Sequence, residues 1–350
     1  MIVIDGSYGE GGGQILRTSL TLSVISKQSI RIENIRAGRK NPGLQPQHLT
    51  AAQAIASICN GRLTGDKVGS QTLEFHPGNV RPGEYTFDVS KIKSSAGSVN
   101  LIFQTVLPPL AFSRKPSKVT IRGGTHVPWS PSADYISEVY LPTLARMGFP
   151  VQYRLTRAGY YPIGGGEIEA EIQPVNHLQP IDLFKRKLGA VTCYSAVSNL
   201  TRSIANRQMA EMTSRLKQLN IEPNKVIEEY ESPGIGTFSF ILFDGGDVKA
   251  GFTSLGEKRK SSEEVAGDAC DEFTLWWKSG MALDKHLADQ LIVPMALANG
   301  ESSLATEENT LHLRTNIWTV GHFLQTKFDV QGNPGEPATL RVIGNAGNGD

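Results

Sequence analysis

The chain has 350 residues, of which 39% are hydrophobic and 20% charged, so it is long enough for two domains and can bury a sizeable core. This composition excludes wholesale disorder, and no apolar run reaches the roughly 18 residues of a membrane-spanning helix. The 35 Lys and Arg residues nearly equal the 34 Asp and Glu residues, which argues against a uniformly basic nucleic-acid-binding protein. The first residues are strand-like without a secretion signal, and the three cysteines are too widely spaced for a Cys-x-x-Cys metal site, so we expect a cytoplasmic protein with no membrane partner.

A succession of helices and strands that recurs along the chain predicts three related α+β units. The first unit is predicted to contain a helix that includes 14–17, a strand at 29–35, a helix at 47–59, and strands near 61 and at 71–75. The second unit is predicted to contain a helix at 96–112, a strand at 118–122, a helix at 132–147, and strands at 151–155 and 167–172.

About 95 residues then interrupt the pattern and predict an inserted domain, because they contain enough elements to close a core of their own. These elements are a strand at 190–195, a helix at 203–219, strands at 225–229, 236–243 and 247–254, and a helix at 262–279. The third unit is predicted to begin near Leu283, with a helix at 287–298, a strand at 302–305, a helix at 314–324, and strands at 326–330 and 339–343. The predicted division is therefore 1–184, 185–279 and 280–350.

A glycine cluster, Gly9-Glu-Gly-Gly-Gly13, follows the first strand and opens the first helix. Backbone N–H groups in such a turn suit a phosphate or another anion, although the spacing matches neither Gly-x-Gly-x-x-Gly nor a P-loop. Glu10, set among the glycines, has the carboxylate that a phosphate-bridging divalent cation needs. A tight surface turn with a solvated Glu10 fits the same residues.

Basic residues gather after the second strand, at Arg36, Arg39 and Lys40, and Arg17 lies on the preceding helix. Residues 1–184 hold 18 basic and 13 acidic residues, whereas 280–350 hold 4 and 8, so an anionic partner is expected at the N-terminal part. Arginine binds phosphate with two parallel hydrogen bonds, which favours a nucleic-acid or nucleotide-phosphate patch. A solvated charged loop is the alternative.

Among seven histidines, His312 has the most suggestive setting, just before an amphipathic helix with Ile317, Val320 and Leu324 on one face. A neutral imidazole at a helix N-terminus can attack phosphorus while the helix dipole holds the phosphate oxygens. A structural histidine is the alternative, and no His-Glu-x-x-His zinc motif is present. The nucleotidyl-transfer motif Lys-x-Asp-Gly is also absent, so a lysine is not the expected carrier of a nucleotide.

Six segments, taken together and in order, resemble the catalytic, ATP-dependent branch of the RNA 3'-terminal phosphate cyclase family. They are Gly6-Ser-Tyr-Gly-Glu-Gly-Gly-Gly-Gln-Ile-Leu-Arg17, Ile35-Arg-Ala-Gly-Arg39 with Pro42-Gly-Leu44 and Gln47-His-Leu-Thr50, Phe103-Gln-Thr-Val-Leu-Pro108, Gly256-Glu-Lys-Arg259, His286-Leu-Ala-Asp-Gln290 with Pro294-Met-Ala-Leu297, and His312-Leu-Arg-Thr-Asn316. The resemblance covers essentially the whole chain. It implies an α/β (α+β) fold, in which a large domain of three βαβαββ-like units carries a small inserted thioredoxin-like α/β domain.

The resemblance also implies a reaction in which ATP adenylylates a histidine, the AMP moves to an RNA 3'-phosphate, and the neighbouring 2'-OH closes a 2',3'-cyclic phosphate and releases AMP. It assigns His312 as the nucleophile and Glu10 as the ligand of Mg²⁺ or Mn²⁺. The residues matching family positions that bind ATP are Gln104, His286, Leu287, Ala288, Asp289 and Gln290. The residues assigned to the RNA phosphate or AMP are Arg17, Arg36, Arg39, Gln47 and His48. ATP and RNA 3'-phosphate ends are the implied partners, and no obligate protein partner is implied.

His286 stands where an aromatic residue such as Tyr often occurs in the family, which leaves the stacking of adenine open. Trp129 and Tyr135 offer an aromatic wall for adenine or a terminal base, or else pack in the core. The alternative function is a non-catalytic scaffold for ribosome biogenesis from the same family, which lacks the histidine nucleophile. A carboxyvinyl transferase of related architecture is a third hypothesis, and the RNA-end motifs argue against it.

Overall fold

The computed structural model describes residues 1–92 and 96–344, and it contains one sheet topology three times. The first sheet has the order β1-β2-β4-β3, with β1 parallel to β2 and β4 antiparallel to both β2 and β3. Its strands are β1 (Ile2–Asp5), β2 (Ile30–Glu33), β3 (Arg62–Thr64) and β4 (Leu73–His76). The accompanying helices are α1 (Gly13–Ser26) and α2 (Pro46–Cys59).

The second sheet repeats this arrangement in the order β5-β6-β8-β7. Its strands are β5 (Glu84–Asp88), β6 (Ser117–Gly123), β7 (Val151–Arg157) and β8 (Gly166–Ile172). Its helices are α3 (Val99–Ala111), then α4 (Ala133–Tyr135) and α5 (Leu141–Arg146), which are joined by the π-helical segment Ile136–Tyr140. A short 3₁₀ turn, Val89–Lys91, follows β5.

After the two-residue strand β9 (Asp182–Leu183), the inserted segment forms a sheet and a core of its own. Its elements are β10 (Ala190–Ser198), α6 (Arg202–Lys217), β11 (Asn224–Glu229), β12 (Gly236–Asp244), β13 (Lys249–Leu255) and α7 (Ser262–Ser279). The sheet order is β11-β10-β12-β13, with only β10 and β11 parallel. Strand β12 is buried on both faces: Ile241 and Phe243 lie in the core with α6 and α7, whereas Phe238 and Phe240 pack into the main core of the protein.

The third sheet has the order β15-β16-β14-β9, which is the same topology once more. Its later strands are β14 (Gly300–Thr306), β15 (Lys327–Gln331) and β16 (Ala338–Gly344). Its helices are α8 (Lys285–Gln290), α9 (Ile292–Ala296) and α10 (Leu311–Val320). No helix in the described residues is both long enough and apolar enough to cross a membrane.

The predicted α/β fold class is confirmed, and the third unit, predicted from its first helix near Leu283 onward, has an earlier strand that was not predicted. The first strand of this unit is β9, which pairs in parallel with β14, so the insertion lies inside the third unit rather than before it. A two-residue strand shows no alternating pattern, which is why the sequence did not reveal it. The domain boundaries at residues 184 and 279 stay a prediction.

Gly236 in β12 makes the close packing of the inserted sheet possible, because a methyl group there would overlap the ring of the buried Tyr160. We expect Gly236→Ala to destabilise the protein by about 1–3 kcal/mol through overpacking, measured as a lower urea midpoint. Gly83→Ala is the matched control, because a methyl group at Gly83 would lie no closer than 3.8 Å to a neighbouring atom. Equal midpoints for the two variants would contradict this account of the interface.

Candidate active site

The glycine loop predicted from the sequence lies along α10 and contacts it closely. Gly9 has a φ of +57°, and a methyl group on it would overlap Oγ1 of Thr315. Glycine therefore serves here both for its left-handed backbone and for its missing side chain. This packing carries Glu10, the next residue, to the first turn of α10.

His312 is the second residue of α10, and side chains from the glycine loop and from α1 contact its ring. The hydroxyl of Thr310 caps the helix by accepting a hydrogen bond from the N–H of Leu313 at 3.0 Å. Nε2 of His312 lies 2.9 Å from Oε2 of Glu10, and Nδ1 lies 3.0 Å from Oε1 of Gln14. Since 47% of its side chain is exposed, the imidazole remains reachable from solvent.

Arg39 holds the other side of Glu10. It forms an ion pair with Oε1 of the carboxylate and also donates to the backbone carbonyl of Glu10 at 3.2 Å. Glu10 thus has a cation on one carboxylate oxygen and His312 on the other. The predicted Glu10, Arg39 and His312 come together within one hydrogen-bonded chain.

The surroundings of His312 favour its neutral form. Burial of the ring is the main cause that lowers its pKa, and the positive charges of Arg17 and Arg39 lower it further, while Asp289, 4.0 Å from Nδ1, acts in the opposite direction. Burial also raises the pKa of Asp289 to about 7, against the opposing influence of His312 and Arg17. A neutral imidazole with an available lone pair is the form that a nucleophile requires.

Three helices fix the position of Asp289. The side-chain amide of Asn316 on α10 donates to the backbone carbonyl of Asp289 on α8 at 2.8 Å, and it accepts from the hydroxyl of Thr18 on α1 at 2.7 Å. Burial lowers the pKa of the neighbouring Arg17 to about 10, so this guanidinium stays charged at neutral pH. The sequence analysis did not single out Asn316, because an asparagine within a helix carries no signal of its tertiary contacts.

His48 is a buried neutral donor beside Arg17. Its Nδ1 accepts the N–H of Gln45 at 3.1 Å, which caps α2, so the proton of the neutral ring lies on Nε2. Burial, reinforced by the charges of Arg17 and Arg36, lowers the pKa of His48 to about 3. A methyl group on Gly13 would overlap this Nε2, so the donor lies against the start of α1.

Two predicted phosphate ligands are engaged in structural contacts. Arg36 donates to the backbone carbonyls of Asn41 at 2.5 Å and Gly43 at 3.2 Å, and so holds its own loop. The side-chain oxygen of Gln47 accepts the N–H of Ser98, the residue that caps α3, at 3.2 Å. Their binding of RNA phosphate or AMP stays a prediction.

The predicted nucleotide-binding residues lie where α3 meets α8. Gln104 donates its side-chain amide to Gln290 at 2.5 Å, and Gln290 donates to the backbone carbonyl of His286 at 2.9 Å. The side chains of Leu287 and Ala288 lie fully in the core, and their backbone N–H groups are bound to Asp284. His286 is exposed.

Asp284, which was not predicted as a site residue, positions the segment 286–290. Fully buried, Asp284 caps α8 by accepting from the N–H groups of His286 and Leu287, and it accepts the hydroxyl of Tyr135 at 2.9 Å. Burial raises the pKa of Asp284 to about 6. Tyr135 packs in the core, which is one of its two predicted alternatives, since its ring is buried and its hydroxyl is used here, whereas Trp129 is 98% exposed.

The site offers few ligands for a metal ion. Within residues 1–92 and 96–344, no group of three or more His, Cys, Asp and Glu side chains is arranged to hold one. Glu10 supplies one carboxylate, and the amide oxygens of Gln14 and Gln290 lie on the neighbouring helices. One carboxylate suffices for a Mg²⁺ ion that takes its other ligands from substrate phosphates and water.

Comparison with known proteins gives a consistent result. The family described as RNA 3'-terminal phosphate cyclase matches residues 8–330. A protein of that name from Methylococcus capsulatus is 44% identical over 99% of this chain and 97% of its own length. A protein of the same name from Nostoc punctiforme is 46% identical over 92% of this chain and 94% of its own length. Another from Methanothermobacter thermautotrophicus is 41% identical over 98% of this chain and 100% of its own length.

A solved structure, the enolpyruvyl transferase NikO from Streptomyces tendae, matches 98% of this chain and 48% of its own with 10% identity and a TM-score of 0.34, a similarity too low to bear on fold or function. The family match and the sequence relatives instead span almost the whole chain, including the glycine loop and the helix of His312. The chain therefore belongs to the RNA 3'-terminal phosphate cyclase family.

Proposed function

We propose that this protein is an ATP-dependent enzyme that converts an RNA 3'-terminal phosphate to a 2',3'-cyclic phosphate through an AMP carried on His312. The observation that carries the proposal is the half-exposed His312, whose two ring nitrogens contact Glu10 and Gln14 beside Arg17 and Arg39. The names of its relatives support the RNA substrate. A cytoplasmic location stays a prediction.

In the first step, Nε2 of His312 attacks the α-phosphorus of ATP, an N–P bond forms, and pyrophosphate leaves. Gln14 accepts the hydrogen of Nδ1 through Oε1, which puts the reactive lone pair on Nε2. Oε2 of Glu10 lies 2.9 Å from Nε2, so any proton that Nε2 shares with this carboxylate must leave before the attack. Loss of that proton frees the nucleophile.

Glu10 is the residue that would hold a Mg²⁺ or Mn²⁺ ion. Such an ion, when bound, neutralises charge on the triphosphate and makes pyrophosphate a better leaving group. Arg39 pairs with the same carboxylate, so it screens the charge of Glu10 until the nucleotide arrives. The nucleotide contacts we propose are those of Gln104 and of the segment 286–290, where α3 and α8 meet.

In the second step, an oxygen of the RNA 3'-phosphate attacks the AMP phosphorus, the N–P bond breaks, and His312 is regenerated. In the third, the adjacent 2'-OH attacks the terminal phosphorus, AMP leaves, and the hydroxyl proton is released. Arg17, Arg39 and the Nε2–H of His48 are the donors we assign to the phosphates. The final closure is intramolecular, so its rate depends mainly on positioning.

Replacement of the nucleophile tests the proposal directly. We expect His312→Ala to abolish labelling of the protein by α-labelled ATP and Mg²⁺, because the substitution removes the nitrogen that would form the N–P bond. The wild-type label is expected to be labile in acid and stable in alkali, as a phosphoramidate is. His322→Ala, which removes an imidazole beyond the other end of α10, is the matched control and should label normally.

Labelling that persists in His312→Ala would reassign the nucleophile. An unlabelled wild-type protein would instead favour the non-catalytic scaffold of the same family.

The contact with Gln14 gives a prediction about pH. The pKa of His312 lies below its ordinary value of 6.5, so self-adenylylation of the wild type should lose rate only below that pH. In Gln14→Glu, a carboxylate at Nδ1 stabilises the imidazolium. The pH below which the rate falls should therefore rise by about one unit or more. The rate of this variant should therefore begin to fall at a higher pH than that of the wild type and recover in alkali.

Gln14→Met has a side chain of similar size but no hydrogen-bond acceptor. It should lower the maximal rate without raising the pH below which the rate falls. Identical pH profiles for Gln14→Glu and the wild type would show that Gln14 has no influence on the ring.

Closure through the 2'-OH predicts the behaviour of a modified substrate. An RNA ending in a 2'-deoxy 3'-phosphate should accept AMP and then stall, so the activated end should accumulate on a denaturing gel. Cyclisation of this substrate, or release of AMP from it at the rate of the ribose end, would contradict the third step.

A further inference from the structure

Outside the contacts used so far, the site carries a stack of two aromatic rings. The ring of Tyr8 lies parallel to that of Trp318, with 3.9 Å between ring centroids and an angle of 11° between planes. Tyr8 is 41% exposed, and Trp318 is partly exposed. His322 contacts Trp318 edge-on, with 4.3 Å between centroids. Trp318 also packs against the main core, so the stack lies at the border between core and solvent.

The stack belongs to the same loop and helix as the reacting groups. Glu10 contacts His312, Gly9 lies against Thr315, and the stack is the next contact along α10. Trp318 follows His312 by six residues, which corresponds to about 9 Å along a helix axis and about 120° around it. Stacked nucleotides rise by about 3.4 Å each, so the axial part of this separation is that of two to three nucleotides.

The charge of the exposed face of α10 suits a nucleic acid. Arg314 is exposed and lies four residues before Trp318, so the two side chains are on one face of the helix. The helix contains no Asp or Glu. A guanidinium next to an exposed aromatic ring is a combination that binds single-stranded nucleic acid. The guanidinium pairs with the phosphates and the ring stacks on a base.

We propose that the Tyr8–Trp318 stack binds one of the last three bases of the RNA while its 3'-phosphate lies at His312. The proposal rests on the proposed function, which supplies the position of the RNA end. Stacking discriminates little among bases, so this contact would favour RNA ends of any sequence over a free phosphate. Tyr8 would thus contribute to RNA affinity and would play no part in the reaction of ATP.

The test compares Tyr8→Ala with Tyr8→Phe and Tyr8→Trp, which keep an aromatic ring. Short RNAs with a 3'-phosphate and 2-aminopurine at one of the last three positions report stacking, because the fluorescence of this base is quenched when it stacks. We expect quenching at one position by the wild type, Phe and Trp proteins, with an RNA affinity about 5- to 150-fold lower for Tyr8→Ala. An abasic substitution at that position should weaken wild-type binding equally, and Tyr8→Ala should then add no further loss.

Labelling by α-labelled ATP is measured in parallel, because it requires the loop and His312 but no RNA. Equal losses of RNA affinity for normal and abasic RNAs, or an equal loss of labelling, would overturn the proposal and leave Tyr8 as a residue that only holds the loop. A wild-type protein that quenches 2-aminopurine but takes no label would support the stacking surface while refuting the proposed reaction.

Discussion

The hydrogen bond between Gln14 and His312 joins two residues that are 298 positions apart in the sequence. Gln14 lies in the first helix of the first unit, and His312 lies in the last helix of the third. Because α1 also packs against α2, α3 and α10, it is the element around which the rest of the site is assembled. A shift of α1 relative to α10 would separate His312 from both Gln14 and the glycine loop that precedes the helix.

The threefold repeat explains why so many helices reach one point. The first helices of the three units are α1, α3 and α8, and they supply Gln14, Gln104 and Gln290 respectively. The contact between Gln104 and Gln290 joins the second unit to the third, just as that between Gln14 and His312 joins the third to the first. Equivalent helices that each carry a glutamine thus converge, so the repeat provides the scaffold, and residues outside this set, Glu10 and His312, provide the proposed chemistry.

The site residues that could be predicted from the sequence are those marked by a pattern in their own segment. The glycine loop, the helix start at His312 and the arginines at 17 and 39 could be predicted because each stands out in its own segment, and the structure brings them together. Asp284 could not be found in this way, since its effect depends on burial beneath Tyr135 and on the helix that it caps. The contacts of Arg36 and Gln47 were hidden for the same reason, because their partners become neighbours only in the folded chain.

Because the insertion separates β9 from β14, the third sheet can form only late in synthesis of the chain. Strand β9 cannot complete its sheet until β14 exists, and Asp182 and its partner Ser303 are separated by 121 positions. At about 5–20 residues per second, this interval corresponds to roughly 6–24 s on the ribosome. The helix of His312 follows β14, so the proposed nucleophile is synthesised after the loop, the arginines and the inserted sheet. A nascent chain thus carries the groups proposed to contact phosphate well before it carries the group proposed to react with ATP.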